Sequence, residues 1–252
     1  MSGLSFGYLD RDFRLTEGET AEHTILFDPE RIARGIDVSV EGKAVLLRMN
    51  LPTSSYEIRT FYDLIEKICG FFKTDSYFRE GEKAAPGSRD RFIWEDERTS
   101  VSGLEELKKL VDQEKTENLY LFGARNPIAI GPKEEKEIGL SLENLGSFLH
   151  KLQSMDVYYA TPNVFDVNGR MIGLFAIGPD VPSVVPGKPH IIMDQVKGIE
   201  SWYAWLGGDG KTVRYQDFIE NTEHEYYDAG HVIVKVSPGQ IDRLVGQYHV
   251  EV

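Results

Sequence analysis

The chain has 252 residues, 41% of them apolar and 27% charged, which is enough to bury one large core or two small ones without covalent staples. Its 28 basic and 41 acidic side chains leave a formal charge of −13, a surface that repels phosphate backbones. No basic run interleaves with aromatics, so neither nucleic acid nor a membrane is an expected partner, the more so because nowhere do roughly 18 apolar residues run together. The single Cys69 excludes an internal disulfide and a Cys–His zinc framework, and the N-terminus MSGLSFGYLDRDF lacks the basic and apolar regions of a leader. A cytoplasmic protein is expected.

In chain order, the first thirty residues offer only FDPERIA, Phe27 to Ala33, as a helical turn before Gly35. IDVSV from Ile36, the turn Glu41-Gly42-Lys43 and AVLLRMNL then predict a hairpin ending at Pro52, whose ring cannot continue a ladder. Ser54 with Glu57 three residues on is a capping-box pattern, and Ile58, Phe61, Ile65, Ile68 and Phe72 recur at helical spacing. A short strand is expected from Ser76, a polar loop over 80–91, and another short strand at Phe92 to Glu95. Ser102 and Glu105 repeat the capping pattern and open a helix closing near Lys115. NLYLFG and PIAIG, from Asn118 to Gly131, read as two strands, and the charged run PKEEKE follows as an insertion. Ser141 opens a helix with Leu142, Leu145, Phe148, Leu149 and Leu152 facing inward.

Val157 to Met193 is the stretch around which the rest is expected to pack. Asn168-Gly169 lies between two apolar runs, and the pair accepts the positive φ that a type I′ hairpin turn requires. The run from Met171 to Ile177 reads as a central strand with Ile172, Leu174, Phe175 and Ile177 inaccessible. Pro179, Pro182, Pro186 and Pro189 are expected to block strand pairing beyond it, with HIIM resuming a strand. SWYAWL and TVRY form a hairpin around residues 207–211, then come a short helix from Gln216 to Asn221 and the strand HVIVKV. A final helix is capped by Ser237, Pro238 and Gln240. The fold class is α+β: mostly antiparallel sheets built from hairpins, with amphipathic helices packed on one face. Hairpin, capped helix and strand occur over residues 36–80 and again over 118–160, which raises a two-fold repeat. Two halves are expected, 1–100 and 101–252, the second centred on the 157–193 hairpin.

Few residues point to chemistry. GGDGKT at residues 207–212 ends as a phosphate-binding loop does, but Trp205 stands where that pattern needs glycine, so a hairpin turn is the better reading. His224, Asp228 and His231 are weak metal candidates: their spacing suits one helical face, yet Gly230 and HVIVKV argue against a helix there. No nucleophile elbow, HExxH or cysteine–histidine pattern supports hydrolysis, and no cofactor is implied. Asp217, Glu220, Glu223, Glu225 and Asp228 gather negative charge beside Tyr226 and Tyr227, a surface fitted to a basic protein partner. Trp202 and Trp205 place aromatics near both faces of one strand, as core or as a binding platform.

Three stretches, the helix after LRMNLP, the segment NGRMIGLFAIGPDVPSVVP and the run from RYQDFIE to DAGHVIVKVSPGQIDRL, together resemble an uncharacterised bacterial family, domain of unknown function 4299. The resemblance spans nearly the whole chain and implies a bacterial cytosolic protein. It transfers no activity and no catalytic residue. Two readings stay open. The first is a non-enzymatic protein-binding or regulatory factor, including an immunity-type factor that neutralises a basic partner. The other is an enzyme or small-ligand binder with a cleft between the two halves, lined by Trp202, Trp205 and His190.

Overall fold

The computed structural model describes residues 16–18, 24–113, 119–192, 198–208 and 210–251. The chain divides into two compact units, Met1–Met155 and Asp156–Val252, and is α+β with mostly antiparallel sheets. Positions 100 and 101, where a division was expected, lie within one helix.

In the first unit, β1 (Thr16–Gly18), β2 (Thr24–Phe27), β3 (Ile36–Glu41) and β4 (Ala44–Met49) form an antiparallel sheet in that order. The expected hairpin is β3 and β4, turning at Gly42 with φ 60°. Helix α1 (Ser55–Phe72) starts where predicted, with the Ser54 hydroxyl accepting from the Glu57 amide at 3.2 Å. Its Leu64 and Ile68 close on Leu26, Ile36 and Val38 of the sheet, each such side chain contributing about 1.5–3 kcal/mol through burial. Strands β5 (Tyr77–Arg79) and β6 (Glu82–Ala84) turn through Glu80 and Gly81, both at positive φ.

A single helix, α2 (Arg89–Asp112), replaces the loop, strand and second capped helix expected over residues 80–115. The expected loop already contains β6 and one 3₁₀ turn at Pro86–Ser88. Ser102 is therefore interior to a helix and caps nothing, while Lys115 lies outside the described residues. Strands β7 (Leu119–Phe122) and β8 (Pro127–Ile130) pair as predicted. PKEEKE is helical: α3 (Pro132–Ile138) begins with proline at its first position and Glu134 accepting from the Gly131 amide at 3.0 Å. The last helix of the unit, α4 (Leu142–Gln153), buries all five predicted apolar positions.

In the second unit, β9 (Tyr158–Tyr159), β10 (Pro162–Val167), β11 (Arg170–Ala176), β12 (Ser183–Pro186), β13 (Ile199–Trp205), β14 (Thr212–Arg214), β15 (His224–Tyr226) and β16 (His231–Val234) build two four-stranded sheets. Their orders are β10-β11-β13-β14 and β15-β16-β12-β9. The Asn168-Gly169 turn has φ 54° and 81°, and β11 is an inner strand. Ile172, Phe175 and Ile177 are buried, whereas Leu174 is half-buried because one sheet face is incompletely covered there. The prolines do not block pairing: β12 lies between β16 and β9, its residues all buried. Pro182 and Pro186 flank Ser183, Val184 and Val185, which keep their amide donors. His190 to Ile192 form no strand, and Met193 lies outside the described residues. Helices α5 (Tyr215–Glu220) and α6 (Pro238–Tyr248) follow prediction, the latter with the Ser237–Gln240 capping box formed. Phe175, Val185, Ala204, Val213, Phe218, Val234, Ile241 and Leu244 share one core. A two-fold repeat is not confirmed: the first hairpin belongs to a four-stranded sheet, the second pairs only with itself among the described residues, and α3 has no counterpart after β4.

Candidate functional site

A groove of about 720 Å³ lies in the first unit, within the several-hundred-Å³ range typical of binding sites. Side chains of a strand alternate between faces, so a cavity on one face would touch every second residue. Here residues 43–49 all line the groove, and so do residues 76–80. The groove therefore runs along the hydrogen-bonding edges of β4 and β5. Among the described residues β4 pairs only with β3, and β5 only with β6. The floor is α1, through Phe61, Tyr62, Ile65, Ile68, Cys69 and Phe72. Phe72 and Phe78 at the rim are 39% and 76% exposed, an apolar mouth that the interior does not claim.

The polar end of the groove is built around Arg79. Its guanidinium donates to Asp96 at 2.7 Å and to Glu95 at 3.0 Å, and it lies 4.5 Å from the centre of the Phe92 ring. Tyr62 donates its hydroxyl to the other oxygen of Asp96. Burial, then the bond to Asp96, pushes the Tyr62 hydroxyl above its ordinary pKa, so it stays a donor. These groups are committed to one another. The Tyr77 hydroxyl is different: it is buried and has no hydrogen-bond partner among the described residues, an arrangement costing about 1–3 kcal/mol if nothing satisfies it. Burial, then the charge of Glu66, also raises the Cys69 thiol, which disfavours the thiolate in the groove floor.

Glu57 fixes the chain entering and leaving this region. Rather than folding back on Ser54, its carboxylate accepts from the Arg34 amide at 3.1 Å, the Gly35 amide at 2.6 Å and the Thr53 hydroxyl. The Arg34 guanidinium donates to the carbonyls of Leu51, Pro52 and Phe122. Burial pushes the Glu57 carboxyl upward against those hydrogen bonds, and burial pulls the Arg34 guanidinium down. The segment that follows β4 is thus held by a buried acid that the sequence pattern assigned to helix capping.

The residues singled out from sequence lie in the second unit. Asp217 and Glu220 stand on α5 and Glu223 follows it; Glu220, Glu223 and Glu225 are exposed, and Tyr226 on β15 is 50% exposed. Trp202 lies over Gly173 and stacks on Phe175, with ring centres 5.7 Å apart. Trp205 is partly exposed and donates its indole N–H to the Gly208 carbonyl at 2.9 Å. Asp228 is buried, so it leaves the acidic surface. The metal candidates separate. His224 is exposed on β15 beside the Thr222 carbonyl, while Asp228 accepts from His231 Nδ1 at 2.7 Å and from the Gly230 amide at 2.9 Å. His231 Nε2 and the Tyr159 hydroxyl are joined by a hydrogen bond of 2.9 Å. His231 and Asp228 are 3% and 2% exposed, closing the pair from solvent. His190 lies close by, its ring 6.0 Å from that of His231, and its Nδ1 donates to Lys188 O at 2.8 Å. Among the described residues no group of three His, Cys, Asp or Glu could hold a metal ion.

A family model described as domain of unknown function, DUF4299, matches residues 1–244. The chain belongs to this family. No curated protein matches the chain, and neither does any solved structure. For this DUF4299 chain the argument about function accordingly rests on the groove and the surfaces just described. No helix among the described residues is long and apolar enough to cross a membrane.

Sequence reasoning missed the groove because three separate segments make it. One signal was present: AVLLRM is apolar on both faces, and in an edge strand this leaves Leu46 half-buried with no sheet neighbour beyond it among the described residues.

Proposed function

We propose that the protein is a non-enzymatic protein-binding factor, regulatory or immunity-type, that docks its partner in the groove between β4, α1 and β5. The observation that carries this reading is a groove lined by an apolar helix flank and by two strand edges that are unpaired among the described residues. Its polar side chains Tyr62, Arg79 and Asp96 are bound to each other, not poised toward the cavity as a reacting set would be. Affinity capture from lysate of the source organism tests it with two variants. Ala44→Trp fills the groove from an exposed position. Asp217→Lys/Glu220→Lys/Glu223→Lys reverses the acidic surface. A partner lost with Ala44→Trp alone supports the groove.

A second reading is supported by the exposed Glu220, Glu223 and Glu225 around half-exposed Tyr226, which suit a basic partner. A partner lost only with the triple lysine variant moves the docking site there. Retention of every partner by both variants would refute protein binding at either surface.

A further inference from the structure

We infer that the occupant of the groove is an extended peptide segment of a partner protein, inserted as a strand that bonds to β4 on one side and β5 on the other. This rests on the docking reading above and names what is docked. The two flanking strands are each bonded on one side only among the described residues, and both turn that free edge to the groove. Strand β5 faces it, while β6 lies on the far side of its hairpin. A third strand between them would join the four-stranded sheet and the hairpin into one sheet, giving partners to backbone groups that now have none in the described structure.

Size and chemistry agree with a strand. One residue of a sheet strand occupies about 3.3 Å by 4.8 Å by 10 Å, or about 160 Å³. The 720 Å³ groove therefore holds about four or five residues, most of the span of the six-residue β4. One face of the inserted strand would meet Tyr62, Ile65 and Cys69 of α1, and alternate residues of the segment must be apolar to fit there. The Tyr77 hydroxyl is a donor with no described partner, available to a carbonyl of the segment.

Charge narrows the partner further. The chain carries −13, yet Lys43, Arg48 and Arg79 line the groove against Glu80 and Asp96. Arg79 is paired with Asp96 and Glu95, whereas Arg48 lies 3.8 Å from Glu41 with both side chains largely exposed, a pairing worth little that leaves its guanidinium open to a second carboxylate. Val45 and Leu47 pack toward α1, so Arg48, one residue on from Leu47, stands on the opposite face, where a cross-strand acidic residue would pair with it. The segment is therefore alternating, apolar toward α1 and acidic on its outer face.

The probe is a synthetic nine-residue peptide alternating valine and threonine with glutamate at both ends. One control groups the valines and another places proline at the centre. Amide hydrogen exchange of the full chain is followed with and without peptide. Slower exchange in both 44–49 and 77–79 with the alternating peptide is expected. The proline peptide should bind roughly three- to tenfold more weakly through the lost donor, and Arg48→Glu should weaken binding of the alternating peptide by a similar factor. Phe78→Ser, at an exposed position, tests the rim without touching the core.

Four results would overturn the inference. The first is unchanged exchange in both strands at millimolar peptide, or protection of one strand only. Another is equal binding of the grouped-valine peptide, which marks an apolar small-ligand pocket. A third is slowing that follows protein concentration without peptide, which makes a second copy the occupant. The last is a captured partner that Ala44→Trp releases but that leaves exchange in 44–49 and 77–79 unchanged. That result keeps the docking reading and removes strand insertion, whereas partners indifferent to Ala44→Trp remove the docking reading itself.

Discussion

Gly173→Ala should destabilise the second unit through one contact. A Cβ built on Gly173 would lie 2.3 Å from Cε3 and Cζ3 of Trp202, more than 1 Å inside normal carbon–carbon separation. The indole is pinned by its stack on Phe175, so it cannot yield by a simple rotamer change. Overpacking of this kind costs about 1–3 kcal/mol, and disturbing the aromatic pair adds about 0.5–1.5 kcal/mol. Against these, replacing a glycine that does not sit at positive φ gains about 0.4–1 kcal/mol from the unfolded chain. The net expectation is a loss of about 0.5–4 kcal/mol. Urea unfolding followed by tryptophan fluorescence reads it, since Trp202 and Trp205 report on the second unit. In a Trp202→Ala background the same substitution should be neutral or stabilising. An equal cost in both backgrounds would refute the steric argument, as would a neutral Gly173→Ala in the natural chain.

Three further outcomes follow from buried polar groups and caps. Because burial raises the Glu57 carboxyl, the folded state holds its proton to higher pH than the unfolded chain does. Its contribution is therefore present at low pH and lost as pH rises through the folded pKa, so the stability of the natural chain relative to Glu57→Gln should fall as pH increases above about 4.5, with a slope limited to about 1.4 kcal/mol per pH unit. A rise instead of a fall would show the hydrogen bonds outweighing burial. Asp228→Ala leaves His231 Nδ1 and the Gly230 amide without their acceptor and should cost about 1–3 kcal/mol in urea unfolding, with the transition unmoved by added zinc or a chelator. Ser237→Ala removes the cap of α6 and should cost about 0.5–2 kcal/mol, measured as a lower thermal midpoint.

Local signals carried the helices that could be read. In α1, α4 and α6 a serine cap precedes an apolar stripe at helical spacing, and both cap and stripe act within a few residues. Helix α2 escaped because its inward positions are Phe92, Ile93, Asp96, Ser100 and Leu104. Two of the five are polar: Ser100 meets the Thr53 amide, and Asp96 answers Tyr62 and Arg79. A reader of apolar periodicity sees a gap there, and Ser102 with Glu105 supplies a false start. The Pro-rich stretch misled in the opposite sense, because proline density hid three consecutive donors in β12. Glu57 fits a capping pattern, and only the folded chain brings Arg34, Gly35 and Thr53 to it. The groove depends on which strand edges are left unbonded, a property of pairing across sheets that no window of sequence contains.

Arg79 bears on how tightly the groove could hold anything. At the polar end of the groove, its guanidinium ties the β5 wall to α2 through two carboxylates and an aromatic face, with Asp96 itself nearly inaccessible. A wall braced in this way does not have to be immobilised when the space beside it fills. Association usually loses part of its gross contact energy to such immobilisation. For an occupant of this groove most of the ordering cost falls on the incoming chain alone, and a short segment could be retained with few contacts.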